Sequence, residues 1–588
     1  MERYDLVVVG AGINGLGVAK TYHQLNSDHS LLILDGASSL GGVWAKERLY
    51  PSLKTNNQWG TFEFPDFPMD TKTFGLKARQ HIPGSVMHDY LAKYAERFDI
   101  LDKIRYRTKV LVAEHQDGVE GGWVLTTASA EDEEAKIFAR KLIVATGLTS
   151  DPFFPDFAGQ EVYGAPIFHA KDLRHYADDP VKCPTVFGGT KSAWDAVYSY
   201  ASRGIKVNWV IRKSGHGPAW MSPPFVTPLK KWLEKLVNTR LLTWFSPCIW
   251  GGDASDGYST IRRFLHETAI GRFITNTFWS IIANDVLTLN NYDGHPETKK
   301  LKPWYPAMFC GTSFSILNYP TDFFDLVRNG TVKVHIADIA HLSPHTVHLS
   351  DGTQLESDAI CCSTGWMHVP PMKFLPEGID KEIGLPHKAE DEEGLFKAET
   401  VQKADDEIFA RFPRLRTQPE ANKNLHSLLD APGLSTKEEL TPYTPMTPFT
   451  LYHFIAPPSA RFLQTRDLAF SGMVGNFSTM LVTHIQGIWI HAFFSNKLPL
   501  TKSLPEIQYE SVLYARFGKW RYPAGHGARQ PDFVFDAVPY LDLLLRDLKL
   551  ETRRKKENQG LGWISEVTQP YGPEDYRDLL AEWVEKQQ

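Results

Sequence analysis

Leu6-Val7-Val8-Val9-Gly10-Ala11-Gly12-Ile13-Asn14-Gly15 is the stretch that decides the fold class of this chain. Its β-branched apolar run is typical of a strand buried on both faces of a parallel sheet. The three glycines suit a tight turn, a close approach of the backbone to a pyrophosphate, and close packing of the next helix. We expect that helix from about Leu16 to Leu25, with its N-terminal N–H groups facing phosphates.

A second strand and an acid complete this unit. Leu31-Leu32-Ile33-Leu34 ends at Asp35, about twenty residues beyond Gly15, where a carboxylate can accept both ribose hydroxyls of an adenosine. An acid at this position also argues against a 2′-phosphate. Gly41-Gly42-Val43-Trp44 adds another glycine turn. The ordered set predicts a dinucleotide site for FAD or NAD, whereas the glycine triplet alone would be weak evidence.

Composition limits the remaining function classes. The chain has 588 residues, 42% of them hydrophobic and 22% charged, which is typical of a globular protein of several domains. A net charge of -6 does not indicate a basic surface for binding nucleic acid, so we expect no such partner. The five cysteines lack C-x-x-C spacing, so the sequence indicates neither a disulfide framework nor a zinc site.

Targeting and membrane signals are weak. The N-terminal apolar run is only four residues long, and the C-terminal Glu-Lys-Gln-Gln matches no peroxisomal or retention signal. The uncharged stretch from Leu468 to Phe494 contains glycines, His484 and Gln486, which make it too polar for a membrane span. We therefore expect a cytoplasmic protein, with peripheral contact to an intracellular membrane as the alternative.

A degraded copy of the first motif begins at residue 185. In Thr185-Val186-Phe187-Gly188-Gly189-Thr190-Lys191-Ser192-Ala193, a threonine and an alanine replace the second and third glycines. The backbone is then less free to approach a pyrophosphate, although hydroxyl groups can still bond a phosphate. The next strand, 207–211, ends at Arg212-Lys213 instead of an acid. A guanidinium there suits the 2′-phosphate of NADPH, and a solvated basic pair is the alternative.

An aromatic-rich insertion runs from residue 220 to about 306. Lys230, Lys231, Lys235 and Arg240 lie among apolar positions of its first stretch, which predicts a basic amphipathic helix. We interpret the insertion as a helical lid over a substrate cavity. Peripheral membrane contact and a plain packing helix are the alternatives.

Later segments suggest where the chain returns to the first unit. Buried strands are expected before Ala145-Thr146-Gly147 and before Ser363-Thr364-Gly365-Trp366, and Cys361 and Cys362 are interpreted as strand residues. Charged residues dominate 377–408 and prolines dominate 442–458, so we expect a surface excursion over about 377–460. His484 and His491 have no third ligand at suitable spacing, so we predict no metal site.

The predicted fold is α/β, with two dinucleotide-binding (Rossmann-like) domains, a discontinuous first domain and a helical insertion in the second. The first domain would comprise residues 1–155 and 341–500. The second would comprise residues 165–340, and a C-terminal helical extension would follow over 501–588.

These motifs together resemble the class B flavoprotein monooxygenases, and the resemblance spans nearly the whole chain. It is carried by the glycine turns described above, by Thr55-Asn56, by Phe64-Pro65-Asp66-Phe67-Pro68 and by Ser363-Thr364-Gly365-Trp366. The residues predicted to contact FAD or NADPH are Gly10, Gly12, Asn14, Gly15, Asp35, Gly42, Val43, Trp44, Thr55, Asn56, Ala145, Thr146, Gly147, Gly188, Thr190, Ser192, Arg212, Thr364 and Gly365.

The sequence departs from the motifs of this family in two places. The F-x-G-x-x-x-H signature of the family is only approximated around residues 157–169, so His169 is a candidate by approximate spacing. The Baeyer-Villiger pattern expects an aspartate where Thr55-Asn56 stands, and places an aromatic-proline pair one residue closer to Trp44 than Tyr50-Pro51. The departures from the Baeyer-Villiger pattern favour the flavin-containing monooxygenase branch.

The resemblance implies that NADPH reduces FAD and that a C4a-(hydro)peroxyflavin transfers one oxygen atom from O2 to a small organic substrate. Asn56 would be the catalytic residue, bonding the hydroperoxide. Nitrogen, sulfur or soft carbon is the expected acceptor atom. Baeyer-Villiger insertion into a ketone, an NADPH oxidase or reductase, and a non-enzymatic FAD-binding protein remain alternatives. The sequence does not identify the substrate or the oligomeric state.

Overall fold

The computed structural model describes residues 1–588 except 117, 119–120, 131–133, 228–229, 252–257, 389–393 and 556–561. Parts of the insertion and of the charged segment therefore lie outside the described residues. The strands are β1 Glu2–Val9, β2 Leu31–Leu34, β3 Lys54–Gln58, β4 His81–Pro83, β5 Ile104–Arg105, β6 Lys109–His115, β7 Trp123–Ala128, β8 Ala135–Val144, β9 Asp156–Phe157, β10 Ile167–His169, β11 Thr185–Phe187, β12 Val207–Ile211, β13 Trp220–Ser222, β14 Phe225–Val226, β15 Lys231–Trp232, β16 Phe314–Ile316, β17 Val332–Ile336, β18 Ile339–Ser343, β19 Thr346–Leu349, β20 Gln354–Glu356, β21 Ile360–Cys362, β22 Lys373–Leu375, β23 Leu434–Ser435 and β24 Leu468–Phe470.

Helices cover both sheets and form the insertion and the C-terminal region. The α-helices are α1 Ile13–Leu25, α2 Thr71–Phe74, α3 Gly84–Arg97, α4 Leu173–Tyr176, α5 Lys191–Ala201, α6 Leu233–Val237, α7 Arg240–Phe245, α8 Ser259–Glu267, α9 Ala269–Asn290, α10 Pro296–Lys299, α11 Phe323–Arg328, α12 Ile379–Ile383, α13 Ala398–Arg411, α14 Ala460–Thr465, α15 Thr479–Phe494, α16 Leu504–Arg521, α17 Ala537–Asp547, α18 Gly562–Thr568 and α19 Leu579–Glu585.

The larger sheet has the strand order β22-β6-β7-β8-β1-β2-β5, with β24 also paired to β8. Its parallel centre is in register, so that Val7 lies between Leu32 and Leu142. Residues 6–9 of β1 are buried, as the apolar run predicts for a strand covered on both faces. The turns after β1, β2 and β8 therefore meet at one edge of the sheet, where ligands bind in open α/β sheets.

The first domain is discontinuous. Strands β22 and β24, from the second half of the chain, join the larger sheet. Helix α15 then packs closely on α1, because Gly17 leaves no room for a side chain: a Cβ there would lie 2.5 Å from Thr483 Cγ2. All residues of α15 after Thr479 are buried, so this apolar stretch is a core helix. In the described part of the chain, none of the helices combines the length and apolar character needed to cross a membrane.

The second sheet is parallel throughout, with the order β10-β21-β11-β12-β17. Its β21 lies between β10 and β11, so this domain reaches beyond the predicted boundary at residue 340. The boundary was placed too early because the chain leaves the second sheet for the hairpins β18-β19-β20 and then adds β21 to that sheet before it returns to the first sheet. Cys361 and Cys362 are buried in β21, where we expected strand residues.

The insertion differs from the basic amphipathic helix that the sequence predicts. Arg240, at the start of α7, is buried and forms ion pairs with Asp542 and Glu566 of the C-terminal region. Its charge is therefore neutralised inside the protein and does not face solvent. The first basic stretch is also not one helix, since Lys231 lies in the short strand β15.

The segment expected to form a surface excursion is only partly exposed. Helix α13 packs against α16, and residues 447–458 are buried. His453 lies between Glu510 and Asp547, and these carboxylates raise its pKa to about 9 although burial opposes the shift. The aromatic residues Phe449, Tyr452 and Phe454 explain this burial, because their apolar surface outweighs the turn-forming prolines.

Candidate active site

The three glycines after β1 have different roles in the structure. Gly10 has φ +113° and a Cβ there would lie 2.5 Å from Ala145 O, while a Cβ at Gly15 would overlap Gly10 O. Both glycines are required by packing within the protein. A Cβ at Gly12 would meet only the Gly42 backbone, at an ordinary 3.5 Å, and Gly12 has an extended conformation open to any residue. Its lack of a side chain leaves open space at the start of α1, which suits a pyrophosphate.

The neighbouring turns complete this edge of the sheet. The Gly41 N–H donates to Ala11 O at 2.8 Å, which places the Gly42–Trp44 turn beside Gly12, with Val43 exposed and Trp44 buried. Asp35 accepts the N–H of Ala11 at 2.6 Å, and burial raises its pKa. This carboxylate therefore fixes the glycine turn and keeps lone pairs for ribose hydroxyls.

Two further predicted contacts lie at the same edge. Asn14 accepts a hydrogen bond from Thr483 Oγ1 at 2.5 Å, which connects the glycine turn to the start of α15. Ala145 continues β8, and its N–H donates to Val9 O at 2.9 Å. Thr146 Oγ1 is buried without a hydrogen-bond partner in the described part of the chain. Gly147 has φ +69° and open space on its side-chain position. An unpaired buried hydroxyl beside an open turn fits a bound ligand.

Strand β3 presents the predicted catalytic amide. Thr55 is held in place on both sides, because its hydroxyl accepts from Ile82 N–H at 3.0 Å and donates to Asn57 O at 2.5 Å. Asn57 is buried and donates to Phe477 O at 3.2 Å. Asn56 lies between them, half-buried, and its side chain makes no hydrogen bond within the described residues. Its amide donor is thus held on a well-supported strand and is available to a ligand.

A polar bridge that no sequence motif indicates connects this strand to the second domain. Asn318 donates to the carbonyl oxygens of Lys54 and Thr55 at 3.2 and 3.1 Å and accepts from Lys191 Nζ at 3.1 Å. Lys191 begins α5 and also pairs with Asp195, and burial lowers its pKa. The only sequence signal was a lysine inside the degraded glycine motif.

The second glycine turn has exposed hydroxyl groups. A Cβ at Gly188, which has φ +133°, would lie 2.7 Å from Ser363 O, so packing requires this glycine. Thr190 and Ser192 are exposed at the first turn of α5, and Ala193 is buried. The start of this 11-residue helix thus offers backbone N–H groups together with two hydroxyls, whereas glycine stands in place of Thr190 in the first turn.

Arg212 lies at the end of β12, next in the sheet to β11. Its Nη1 atom is buried and has no hydrogen-bond partner within the described chain. Burial lowers the pKa of this guanidinium, while Tyr443 and Asp338 raise it. Lys213 is exposed. An orphaned guanidinium donor fits a phosphate, because buried charged donors are normally paired.

The remaining candidates lie at the ends of β21 and β10. Thr364 is buried and donates to Phe153 O at 2.6 Å, and Gly365 has φ +102° with open space beside it. His169 packs edge-on against Trp366, and burial lowers its pKa to about 4. His169 is therefore neutral at pH 7. Among the described residues no group of histidine, cysteine and acidic side chains could hold a metal ion.

Known proteins are similar to this chain in sequence and in fold. The model of the pyridine nucleotide-disulphide oxidoreductase family matches residues 7–243. The chain is 33% identical to the FAD-dependent monooxygenase resA of Aspergillus sclerotiorum, over 100% of this chain and 99% of that protein. The chain belongs to this family of FAD-dependent monooxygenases. The class predicted from the sequence motifs and the expected use of FAD are confirmed.

Solved structures share the fold of this flavoprotein. Cyclohexanone monooxygenase in its closed form matches with a TM-score of 0.57 and 16% identity, over 100% of this chain and 98% of that chain. S-allyl-L-cysteine S-oxygenase of Allium sativum matches with a TM-score of 0.51 and 14% identity, over 99% and 98%. Because both proteins share the fold, the fold alone does not select between a ketone and a sulfur substrate. The predicted α/β architecture is confirmed.

Proposed function

We propose that this flavoprotein uses NADPH and O2 to transfer one oxygen atom to nitrogen, sulfur or soft carbon of a small organic substrate. Bound FAD, once reduced, supplies the activation of dioxygen. The backbone around Gly12 and the Asp35 carboxylate would hold the FAD pyrophosphate and ribose. Thr190, Ser192 and Arg212 would hold NADPH. The open space at Gly12, the unpaired Thr146 hydroxyl and the orphaned Arg212 donor support these two assignments.

The observation that carries the proposed reaction is the available amide of Asn56. Its neighbours on β3 are bonded into the protein, whereas the Asn56 side chain makes no hydrogen bond within the described residues. We infer that the Asn56 side-chain amide bonds the oxygen atom that is to be transferred. Acceptance of the proton on that atom by Asn56 Oδ1 favours the protonated, electrophilic form, which suits nitrogen and sulfur, over the anion, which suits a ketone.

Replacement of Asn56 tests this role. A hydrogen bond contributes about 0.5–1.5 kcal/mol and more in a water-excluded site, so its loss should raise the hydrogen peroxide released per NADPH consumed by roughly tenfold. We expect this in Asn56→Ala and also in Asn56→Leu, which keeps the size but loses the amide. Flavin reduction by NADPH should remain normal in both. An unchanged peroxide yield would remove Asn56 from the reaction.

Baeyer-Villiger insertion is the second candidate, since cyclohexanone monooxygenase has the same fold. The two candidates predict different products. A panel of amines, sulfides and ketones, analysed by mass spectrometry with 18O2, would identify the acceptor atom. An N-oxide, hydroxylamine or sulfoxide supports the proposal, and a lactone or ester from a ketone would overturn it.

Peripheral membrane contact is a separate proposal for the insertion. Helix α9 exposes apolar side chains at Ile270, Phe273 and Ile281, and Ile270 and Phe273 are 68% and 72% exposed. Exposed Arg263 and half-buried Arg272 lie in the same segment with exposed Glu267, so the cations outnumber the acid by one, which favours an anionic lipid surface. We expect the protein to sediment with phosphatidylserine vesicles. The substitution Phe273→Ser should reduce the fraction of protein that sediments at least severalfold. A concentration-dependent dimer without vesicle binding would show that a second copy covers this face.

A further inference from the structure

A buried asparagine connects the strand that presents Asn56 to the second domain. Asn318 follows β16 and is 4% exposed. Its amide nitrogen donates to Lys54 O at 3.2 Å and to Thr55 O at 3.1 Å, directly before Asn56 in the chain. Its amide oxygen accepts from Lys191 Nζ at 3.1 Å. Both hydrogens of this amide are therefore used by the backbone of β3, and its oxygen is used by α5.

Strand β4 does not provide donors for these two carbonyl oxygens. Lys54 is paired with Pro83, which has no N–H group. The N–H of Ile82 is used by the Thr55 hydroxyl, at 3.0 Å. The His81 ring also faces the Thr55 backbone, but neither of its nitrogens makes a hydrogen bond in the described part of the chain. The buried asparagine therefore supplies donors that the neighbouring strand lacks, and buried carbonyl groups need such partners.

Lys191 is held in turn by a closed ring of contacts. It is the first residue of α5 and forms an ion pair with Asp195, one turn along that helix. Asp195 Oδ1 also accepts from Tyr319 OH at 2.9 Å, and Tyr319 is the residue after Asn318. Lys191 Nζ lies 5.0 Å from the centre of the Tyr319 ring. Because an ammonium group only donates hydrogen bonds, it holds the amide oxygen of Asn318 toward itself and the NH2 group toward β3.

We propose that Asn318 is a positioning residue, which fixes the strand that presents Asn56 relative to the first residue of α5. This inference rests on the proposed role of Asn56. The far end of β3 is held separately, because Glu234 of α6 accepts the Gln58 N–H at 3.1 Å. Loss of the Asn318 amide would therefore release the backbone before Asn56 while the other end stays attached. A small displacement of a reacting group lowers its effectiveness strongly.

Hydrogen exchange tests this attachment in the FAD-loaded protein, without nucleotide or substrate. Asn318→Asp keeps the size and the contact with Lys191 but turns an oxygen atom toward the two carbonyls. The amides of residues 54–58 should then exchange about tenfold faster than in wild type. Lys191→Arg keeps a donor for the amide oxygen and should stay near the wild-type rate, whereas Lys191→Met should accelerate exchange by about two- to threefold. Unchanged exchange in Asn318→Asp would overturn the proposal.

Asn290 provides a matched control for the loss of a buried amide. It is also 4% exposed, and its amide nitrogen donates to Met221 O at 2.6 Å and to Tyr292 OH at 3.0 Å. Asn290→Asp should lower the melting temperature, as Asn318→Asp does, but should leave the exchange of residues 54–58 at the wild-type rate. Equal acceleration by both variants would assign the effect to a general loss of stability and would overturn the positioning role.

The functional arm is a double-mutant cycle with Asn56. Asn318→Asp should raise the hydrogen peroxide released per NADPH consumed by roughly fivefold and keep the dissociation constant of NADPH within about twofold of wild type. Because both residues act through the Asn56 amide, Asn318→Asp combined with Asn56→Ala should release no more peroxide than Asn56→Ala alone. Peroxide yields that multiply in the double variant would refute the positioning role.

The two arms separate this inference from the proposed function. An unchanged peroxide yield in Asn56→Ala alone would overturn the proposed reaction, while faster exchange in Asn318→Asp would still demonstrate the attachment of β3. Faster exchange in Asn318→Asp with a wild-type peroxide yield, in a protein where Asn56→Ala raises that yield, would overturn the positioning role alone.

Discussion

The two glycine turns that we propose as nucleotide sites of this flavoprotein differ in the atoms that they leave for a ligand. At the first turn, Gly12 is not required by packing, and the open space exposes backbone N–H groups. At the second, Thr190 occupies the corresponding position with its side chain exposed, and Arg212 replaces the acid that ends β2 in the first unit. On the proposed assignment, the first turn would contact a pyrophosphate through its backbone, and the second would add the side chains of Thr190 and Arg212. We propose that these side chains determine which nucleotide binds.

The largest effect is expected from a side chain at Gly12. Gly12→Val would fill the space that suits the FAD pyrophosphate without clashing strongly with the protein, since its nearest neighbour is the Gly42 backbone at 3.5 Å. We expect folded protein with almost no flavin absorbance. Gly15→Ala is the matched control, because its Cβ would overlap Gly10 O and should prevent folding itself. A full flavin content in Gly12→Val would refute the backbone model of the first site.

A smaller effect is expected at Arg212. Hydrogen bonds to charged groups contribute about 1.5–3 kcal/mol, so Arg212→Ala should weaken NADP+ binding by roughly 10–100-fold and leave NAD+ almost unchanged. Lys213→Ala is the control, because Lys213 is exposed and lies beside the same strand end. Titration calorimetry on the FAD-loaded variants gives both affinities. Equal losses for both nucleotides would show that Arg212 does not select the 2′-phosphate.

The smallest effect is expected at Thr190. Its exposed hydroxyl belongs to the first turn of α5, so Thr190→Val should weaken NADP+ and NAD+ alike, by about 2–10-fold for one lost hydrogen bond. Thr190→Gly would make the second turn more like the first and should recover part of this affinity through closer backbone approach. A change in the preference between the two nucleotides would contradict this division of roles.

Local patterns predicted the fold and its two strand-turn-helix units, because strand, glycine turn and helix are set by neighbouring residues. Contacts between distant segments could not be predicted in the same way. Arg240 was assigned to a solvent-facing basic helix because its partners Asp542 and Glu566 lie about three hundred residues later. Asn318 and Glu234 reach β3 from the second domain and the insertion, and no spacing rule connects them to Asn56.

The domain boundary and the proline-rich segment were also predicted incorrectly, because both depend on contacts between distant segments. The sequence predicted the end of the second domain at residue 340, whereas β21 at Ile360–Cys362 still belongs to its sheet. A strand that returns to a sheet after a hairpin excursion is not marked by any local signal. Residues 447–458 contain turn-forming prolines, yet their aromatic side chains are buried against the C-terminal helices.

Flavin reduction in the wild-type protein shows whether the two sites recognise different dinucleotides. We propose that the first site is built for a dinucleotide without a 2′-phosphate and the second for one that carries it. Anaerobic stopped-flow spectroscopy gives the dissociation constant of NADPH and of NADH from the concentration dependence of flavin bleaching. We predict a dissociation constant for NADPH that is about tenfold or more below that for NADH. Equal constants would show that the second site does not recognise the 2′-phosphate, and would contradict the account.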